Sequence, residues 1–403
     1  MHAPQETAMN ADQFAGLASL FDSYLGLAGG EKILLLYTSD ATDAVAMVSA
    51  GLDLRRVTHS RVWMHPMDEQ MPDDGPDSLA ARWWRGLAAL GPLDGHALVV
   101  LSLERDTFSN APKIARLLKA TGHADVRLYR MISACPELFA TALRAAPDEL
   151  SARNTRILET LLPARRIRLL TAGGSDLEVE LDSARYRWIS NRGRLERGRA
   201  VVLPAGEVAT FPARVDGVFV ADFAFNINCI VDMDARLARH PVMIEVRDSR
   251  VVDFRCGRAD VAALVEDVLA ETHGRRIGEL GLGTNRFVTE AVALNSHINE
   301  RHCGIHLGLG QHNQSAEAVD WYCRKHLDLI ADGGVIEMED GRRLDLAALA
   351  PSAAAHRFGF EVHDEDVFSP EEIRMGEAMV SDGDCCGDSN VCWAAPATRA
   401  RTA

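Results

Sequence analysis

A chain of 403 residues that is 47% hydrophobic and 25% charged has material for two packed α/β domains, which excludes a small scaffold stapled by disulfides. Its 58 acidic residues outnumber 43 basic ones for a formal charge of −15, whereas tight binding to nucleic acid needs clustered Lys and Arg; a small molecule or a peptide is the expected partner. Met1 to Phe14 reads as neither a basic nor an apolar leader region, and no stretch reaches the roughly 20 apolar residues of a membrane span, so the expected location is cytoplasmic.

The first half reads as alternating strands and helices. An apolar run, Ile33 to Tyr37, stops at Ser39-Asp40 before a helical stretch from Ala41 to Ala50. A helical segment around Trp83 and Trp84 precedes a second buried strand, Ala97 to Leu103, and a third runs from Val126 to Ile132. Continuous apolar strands separated by helices predict an open, mostly parallel sheet covered on both faces. No GxGxxG or Walker-type loop follows the first strand, so this sheet by itself does not imply a nucleotide.

From about Ile167 the texture changes to shorter strands with tight turns: 167–170, 177–181, 201–203, 215–221, 242–245 and 251–254. A domain boundary is placed near residue 165, giving an N-terminal α/β domain (1–165) and a C-terminal α/β metal-binding domain (166–368). A helix from Ala259 to Thr272 leads into the Gly-rich segment Gly278 to Asn285, and a final strand pair is expected around His326 to Ile336. The tail, 369–403, has no periodicity and crowds Cys385, Cys386 and Cys392 together; it reads as flexible. These cysteines lack the paired second half of a zinc site, though the tail could chelate metal or be modified. The other cysteines read as reduced, buried small hydrophobes.

The chemistry-bearing residues stand where a folded core would rather not hold them. Glu207 sits in a Pro/Gly turn between apolar segments, and Glu279 in the Gly-rich stretch Gly278-Glu279-Leu280-Gly281-Leu282-Gly283-Thr284-Asn285. A buried carboxylate needs a cation, hydrogen bonds or a proton. His306 lies on an apolar strand with glycines, and His326-Leu327-Asp328 puts two donors on one face of a strand while Leu327 and Leu329 turn to the core. Two imidazoles and up to three carboxylates form an N/O set suited to Zn, Mn, Co or Fe(II), one or two ions per chain. Taken singly, each residue has a structural alternative: Glu207 as a turn cap, Glu279 in a salt bridge with Arg275, Arg276 or Arg286, His306 as a hydrogen-bonded core histidine. His240, His273, His297 and His302 read as surface or loop groups.

The succession Pro-x-x-Glu-Val, Gly-Glu-x-Gly-x-Gly-Thr-Asn, Gly-Ile-His-x-Gly-x-Gly-x-x-Asn and His-x-Asp, over about residues 200 to 345, resembles the aminopeptidase T and aminopeptidase S metallopeptidases, the thermophilic metalloprotease or leucyl aminopeptidase-like family. The resemblance implies two α/β domains, a homodimer, and two divalent ions held by Glu207, Glu279, His306, His326 and Asp328. Where the peptidases carry a Tyr seven residues after the first ligand histidine, this chain has Asn313, preceded by His312, which puts the second ion in question and makes His312 and Asn313 outer partners of the ligands. The activity implied is metal-dependent hydrolysis of peptide or amide bonds, with Glu207 and Glu279 as the catalytic carboxylates. Two alternatives stand beside it. A related branch contains Fe(II) ring-cleaving dioxygenases acting on dihydroxypyridines, whose triad would be His306, His326 and Asp328, and a non-catalytic scaffold would act through its Cys-rich tail.

Overall fold

A computed structural model describes residues 9–65, 72, 74–105, 110–195, 200–229, 231–315, 317–358 and 362–364. Its strands are β1 (Lys32–Thr38), β2 (His59–Met64), β3 (Leu98–Glu104), β4 (Val126–Ile132), β5 (Arg166–Leu170), β6 (Asp176–Glu180), β7 (Trp188–Asn191), β8 (Ala200–Leu203), β9 (Glu207–Thr210) and β10 (Arg214–Ala221). They continue with β11 (Ala224–Ile227), β12 (Val242–Arg247), β13 (Arg250–Cys256), β14 (Ile277–Gly283), β15 (Ile305–Gly310), β16 (His326–Ile330), β17 (Val335–Met338), β18 (Arg343–Asp345) and β19 (Val362–Asp364).

The continuous apolar runs of the first half form a parallel sheet in the order β2-β1-β3-β4-β8. Both faces are covered, because alternate residues of β1 enter different cores: Ile33 and Leu35 pack with Phe21 and Val48, while Leu34 and Leu36 pack with Trp83 and Leu87. The fifth strand comes from residues 200–203, so the chain crosses back to this sheet after residue 165.

The remaining strands make two seven-stranded sheets, β13-β12-β10-β6-β5-β17-β18 and β11-β16-β15-β14-β9-β7-β19. Pairing is antiparallel throughout except between β7 and β19. Their inner faces share one core in which Leu169, Val215, Phe219 and Ile244 of the first meet Leu280, Leu307, Leu327 and Leu329 of the second. The helix Ala259–Ala270 closes it with Val261, Val265 and Val268. The fold is thus mixed α/β, a parallel sheet joined to antiparallel ones, as expected. Two details differ from expectation. The Gly-rich stretch is itself a strand, β14, and β16 and β17 do not pair with each other: the turn at Gly333-Gly334, both with positive φ, passes the chain from one sheet to the other.

No helix among the described residues is long and apolar enough to cross a membrane. Cys385, Cys386, Cys392 and the whole 369–403 tail lie outside the described residues.

Candidate metal centre

The period-two alternation of strands sorts the third sheet into an oily face and a polar one. Leu280, Leu282, Leu307, Leu309, Leu327 and Leu329 enter the shared core. Their sequence neighbours therefore face the other way, and register does the rest. Asp328 pairs with Gly308 and Gly308 with Glu279; His306 pairs with Gly281; Gly283 pairs with Glu207. The structure brings Glu207, Glu279, His306, His326 and Asp328 together on this polar face, from four adjacent strands.

The glycines between them are the floor of the centre. A Cβ on Gly281 would lie 1.8 Å from His306 Nε2, and one on Gly308 would lie 2.6 Å from His326 Cε1 and 3.1 Å from Asp328 Oδ1. Only hydrogen in those positions leaves room for the imidazoles. Thr284 and Asn285 tie the end of β14 down: Thr284 Oγ1 donates to Asn154 Oδ1 at 2.6 Å, and Asn285 Nδ2 to the Ala142 carbonyl at 2.8 Å. Asn154 Nδ2 also donates to the Glu207 carbonyl at 2.8 Å, so the helix Pro147–Leu161 anchors the first carboxylate by its backbone.

Two sets of donor atoms, each within 4.8 Å of one another, overlap at Glu279: Glu207, Glu279 and His306 in one, Glu279, His326 and Asp328 in the other. His306 Nε2 stands 2.8 Å from Glu207 Oε1 and 3.7 Å from Glu279 Oε1. The closer approach lacks hydrogen-bond alignment. His306 Nε2 and Glu207 Oε1 form a buried ion pair, while His306 Nδ1 and Asp328 Oδ1 are buried without a hydrogen-bond partner. Such orphans are costly in a folded interior, and their convergence fits a cation between them. His326 Nδ1 faces the Gln311 carbonyl at 2.7 Å, a contact that makes Nδ1 the donor and turns Nε2 toward the centre, where it pairs with Asp328 Oδ2 at 3.1 Å.

The charges of these side chains act on one another. Burial disfavours the charged forms, yet Arg301 and His306 hold Glu207 down at about 2, and His326 holds Asp328 at about 2. Against the same burial, Asp328 and Glu279 push His326 up to about 10, and Glu207 and Glu279 push His306 well above its ordinary value. Burial dominates at Glu279 and raises its carboxyl. His326 and Glu279 are the most exposed of these five side chains, at 23% and 13%. They mark the mouth, beside the ring cluster of Phe211, His312 and Trp321, where His312 and Trp321 meet edge-on at 4.8 Å.

Asn313 Nδ2 donates to Glu279 Oε2 at 3.0 Å. His312 turns away: its Nε2 faces the Trp321 carbonyl at 2.7 Å and its Nδ1 accepts from the Gln314 N–H at 3.2 Å. The arginines near Glu279 in sequence go elsewhere. Arg286 pairs with Glu149, Arg275 donates to the Val251 carbonyl, and Arg276 lies over the Trp321 ring.

The counter-charge comes from a segment that reads as a surface loop. Arg301 binds Glu207 Oε2 through Nη1 and the Pro204 carbonyl through Nε at 2.9 Å, while Glu300 takes a hydrogen bond from Asn226. His297 and His302 stand in loop segments, as expected, but neither is an exposed surface group: His297 is half-buried and His302 is buried. Burial and Arg301 hold His297 at about 3, within the field of Asp328, Glu207 and His326. His302 stacks on Phe223 and bridges the Val288 carbonyl and Asp332. Nothing in the local pattern Asn299-Glu300-Arg301-His302 distinguishes it from a solvated turn; its burial is set by the sheet beneath it.

The family described as the crocagin biosynthetic protein CgnE/B matches residues 215–329, a stretch that holds Glu279, His306, His326 and Asp328 but not Glu207. No curated protein matches the chain. Among solved structures, AmpT from Thermus thermophilus aligns with a TM-score of 0.49 at 18% identity, covering 83% of this chain and 97% of its own. The 2,5-dihydroxypyridine dioxygenase from Pseudomonas putida KT2440 aligns with a TM-score of 0.52 at 14% identity, covering 84% of this chain and 97% of its own. This chain is therefore similar in fold to that dioxygenase, and similar to the crocagin biosynthetic proteins across the strands that carry four of its five converging side chains.

Proposed function

We propose that this protein is a divalent-metal-dependent hydrolase of peptide or amide bonds. The observation that carries the reading is the convergence of Glu207, Glu279, His306, His326 and Asp328 in two overlapping sets of donor atoms on one face, with His306 Nδ1 and Asp328 Oδ1 buried and unpartnered beside them. Glu207, Glu279 and His306 on one side and Glu279, His326 and Asp328 on the other would hold one or two ions, and the mixed N/O set suits Zn, Mn, Co or Fe(II). A bound ion supplies Lewis acidity, lowering the pKa of water toward neutrality and polarising a scissile carbonyl. Arg301 occupies Glu207 Oε2, which leaves Oε1 as a fixed donor and makes Glu207 a poor proton carrier. Glu279 stands at the mouth with solvent access and is the better placed to take a proton from attacking water, oriented for it by Asn313.

The two donor sets divide the histidines, and none among the described residues joins both histidines to Asp328 alone. That division favours hydrolysis over ring-opening at a single His, His, Asp iron. Protein loaded with Co, Mn or Zn is expected to release amine from aminoacyl-anilides. Silence with every metal, or oxygen uptake with Fe(II) and a dihydroxypyridine, would replace this reading with the oxygenase one.

Two further results are expected. Asn313→Ala should weaken metal binding about 10- to 100-fold by freeing Glu279, as losses of partners behind a ligand generally do; isothermal titration measures it, and an unchanged affinity would leave Asn313 no role. The pH dependence follows from the histidines. Because the metal-free centre holds a proton on His326 up to about pH 10, an incoming ion must displace it, so affinity should keep rising between pH 7 and about 10. Proton release, read from titrations in buffers of different ionisation enthalpy, checks this; a plateau already at pH 7 contradicts it.

A further inference from the structure

We propose that Phe211, His312 and Trp321 form the subsite that selects the substrate, and that it takes an aromatic side chain next to the bond being cut. The inference rests on the hydrolytic reading above and names the substrate class that reading leaves open. Register places Phe211. Thr210 is the last residue of β9 paired to β14, opposite Leu280, and Val208 enters the shared core with Leu280 and Leu282. Alternation therefore puts Glu207, Ala209 and then Phe211 on the polar face, and one further step of the same register brings Phe211 level with Glu279. His312 stands between the two most exposed donors. The carbonyl of its neighbour Gln311 faces His326 Nδ1, and its other neighbour, Asn313, donates to Glu279. Trp321 is tied to the same segment: its carbonyl faces His312 Nε2 at 2.7 Å, and the Cys323 N–H donates to Gln311 Oε1 at 2.9 Å.

The three rings lie together. Their centroids are 4.8 Å apart for His312 and Trp321, 6.1 Å for Phe211 and His312 and 6.3 Å for Phe211 and Trp321, distances at which rings attract one another edge to face. Rings buried in a core do the same, but Phe211 and Trp321 are half-buried and stand apart from the three cores of the described residues. Half-exposed aromatic surface at the rim of a polar centre suits one flat apolar group, with the polar centre left to act on the bond beside it. Contacts behind the rings fix them: Tyr186 lies 4.7 Å from Phe211, and the Arg276 guanidinium lies 5.2 Å from the Trp321 ring. That cation also sets a limit. A Lys or Arg side chain entering beside Trp321 would meet like charge, whereas an aromatic ring extends the cluster.

The test separates binding from cleavage. Amino alcohols carry the side chain without an amide bond, so their affinity reads the subsite whether or not the protein is a hydrolase. With protein incubated with Zn(II), isothermal titration should show L-phenylalaninol binding at least about tenfold tighter than L-alaninol or L-lysinol. Trp321→Ala and Phe211→Ala should each lose most of that preference while their metal content matches wild type, and Trp321→Phe should keep most of it. Equal affinity for the three alcohols in wild type, or a preference that survives in folded Trp321→Ala and Phe211→Ala proteins, would overturn the proposal. Circular dichroism reports folding; if neither alanine variant folds, the wild-type comparison and Trp321→Phe decide. Tighter phenylalaninol binding with no cleavage of phenylalanyl-anilide removes only the hydrolytic reading, whereas cleavage of anilides without the preference removes only the subsite.

Discussion

Glu279→Gln is expected to lower metal affinity by at least about a hundredfold and to take hydrolysis to background. Loss of a partner behind a ligand already costs about 10- to 100-fold, and Glu279 belongs to both donor sets, so its loss weakens each. The same substitution should act in the opposite sense on the metal-free protein. Burial opposes ionisation of Glu279 and outweighs its pairing with His306 and His326, so a neutral amide removes a desolvation cost. Metal-free Glu279→Gln should therefore melt no lower than metal-free wild type. Wild type gains stability with the ion, about 2.7 kcal/mol at a hundredfold excess over Kd, while the variant gains almost none. Thermal melts with and without metal chelation separate the two; equal stabilisation by metal in both proteins would remove Glu279 from the ligand set.

Gly281→Ala should remove metal binding without altering any ligand. The added methyl would come 1.8 Å from His306 Nε2 and 2.3 Å from Cε1, so the imidazole must leave its place in a fully buried pocket. Overpacking of this kind costs about 1–3 kcal/mol in stability, and the donor atom is lost from the centre. Gly283→Ala, two residues along the same face, provides the contrast. Its methyl would meet the His302 carbonyl oxygen at 1.7 Å and the Glu300 carbonyl oxygen at 2.5 Å, which are backbone atoms that cannot swing aside. That variant should fail by unfolding, whereas Gly281→Ala should stay folded and fail by losing its metal. Circular dichroism with metal analysis distinguishes them, and a Gly281→Ala protein that binds metal as wild type does would show that His306 is not a donor.

How much of this was readable from residues alone depended on range. The strand from Val126 to Ile132 and the two-residue spacing of His326 and Asp328 are local patterns, and local patterns suffice where a strand is buried or alternates. The glycines at 281, 283 and 308 were visible as an oddity, but their use required the register that sets Gly281 opposite His306. Arg301 was not legible. It meets Glu207 across 94 residues, from a short helical turn whose charged residues look solvated until the third sheet is placed beneath them. Arg275, Arg276 and Arg286, closer to Glu279 in sequence, turned out to serve other partners for the same reason: proximity along a strand says nothing about which face a flanking arginine can reach.

If Glu207, Glu279, His306, His326 and Asp328 hold metal, the ion itself can be located. Anomalous diffraction from crystals grown with Mn(II), Co(II) or Zn(II) addresses it most directly. A peak is expected on the polar face of the third sheet, about 2.0–2.2 Å from nitrogen and oxygen atoms of this set. A saturated crystal with no peak there, or with its only peaks at other residues, would contradict it.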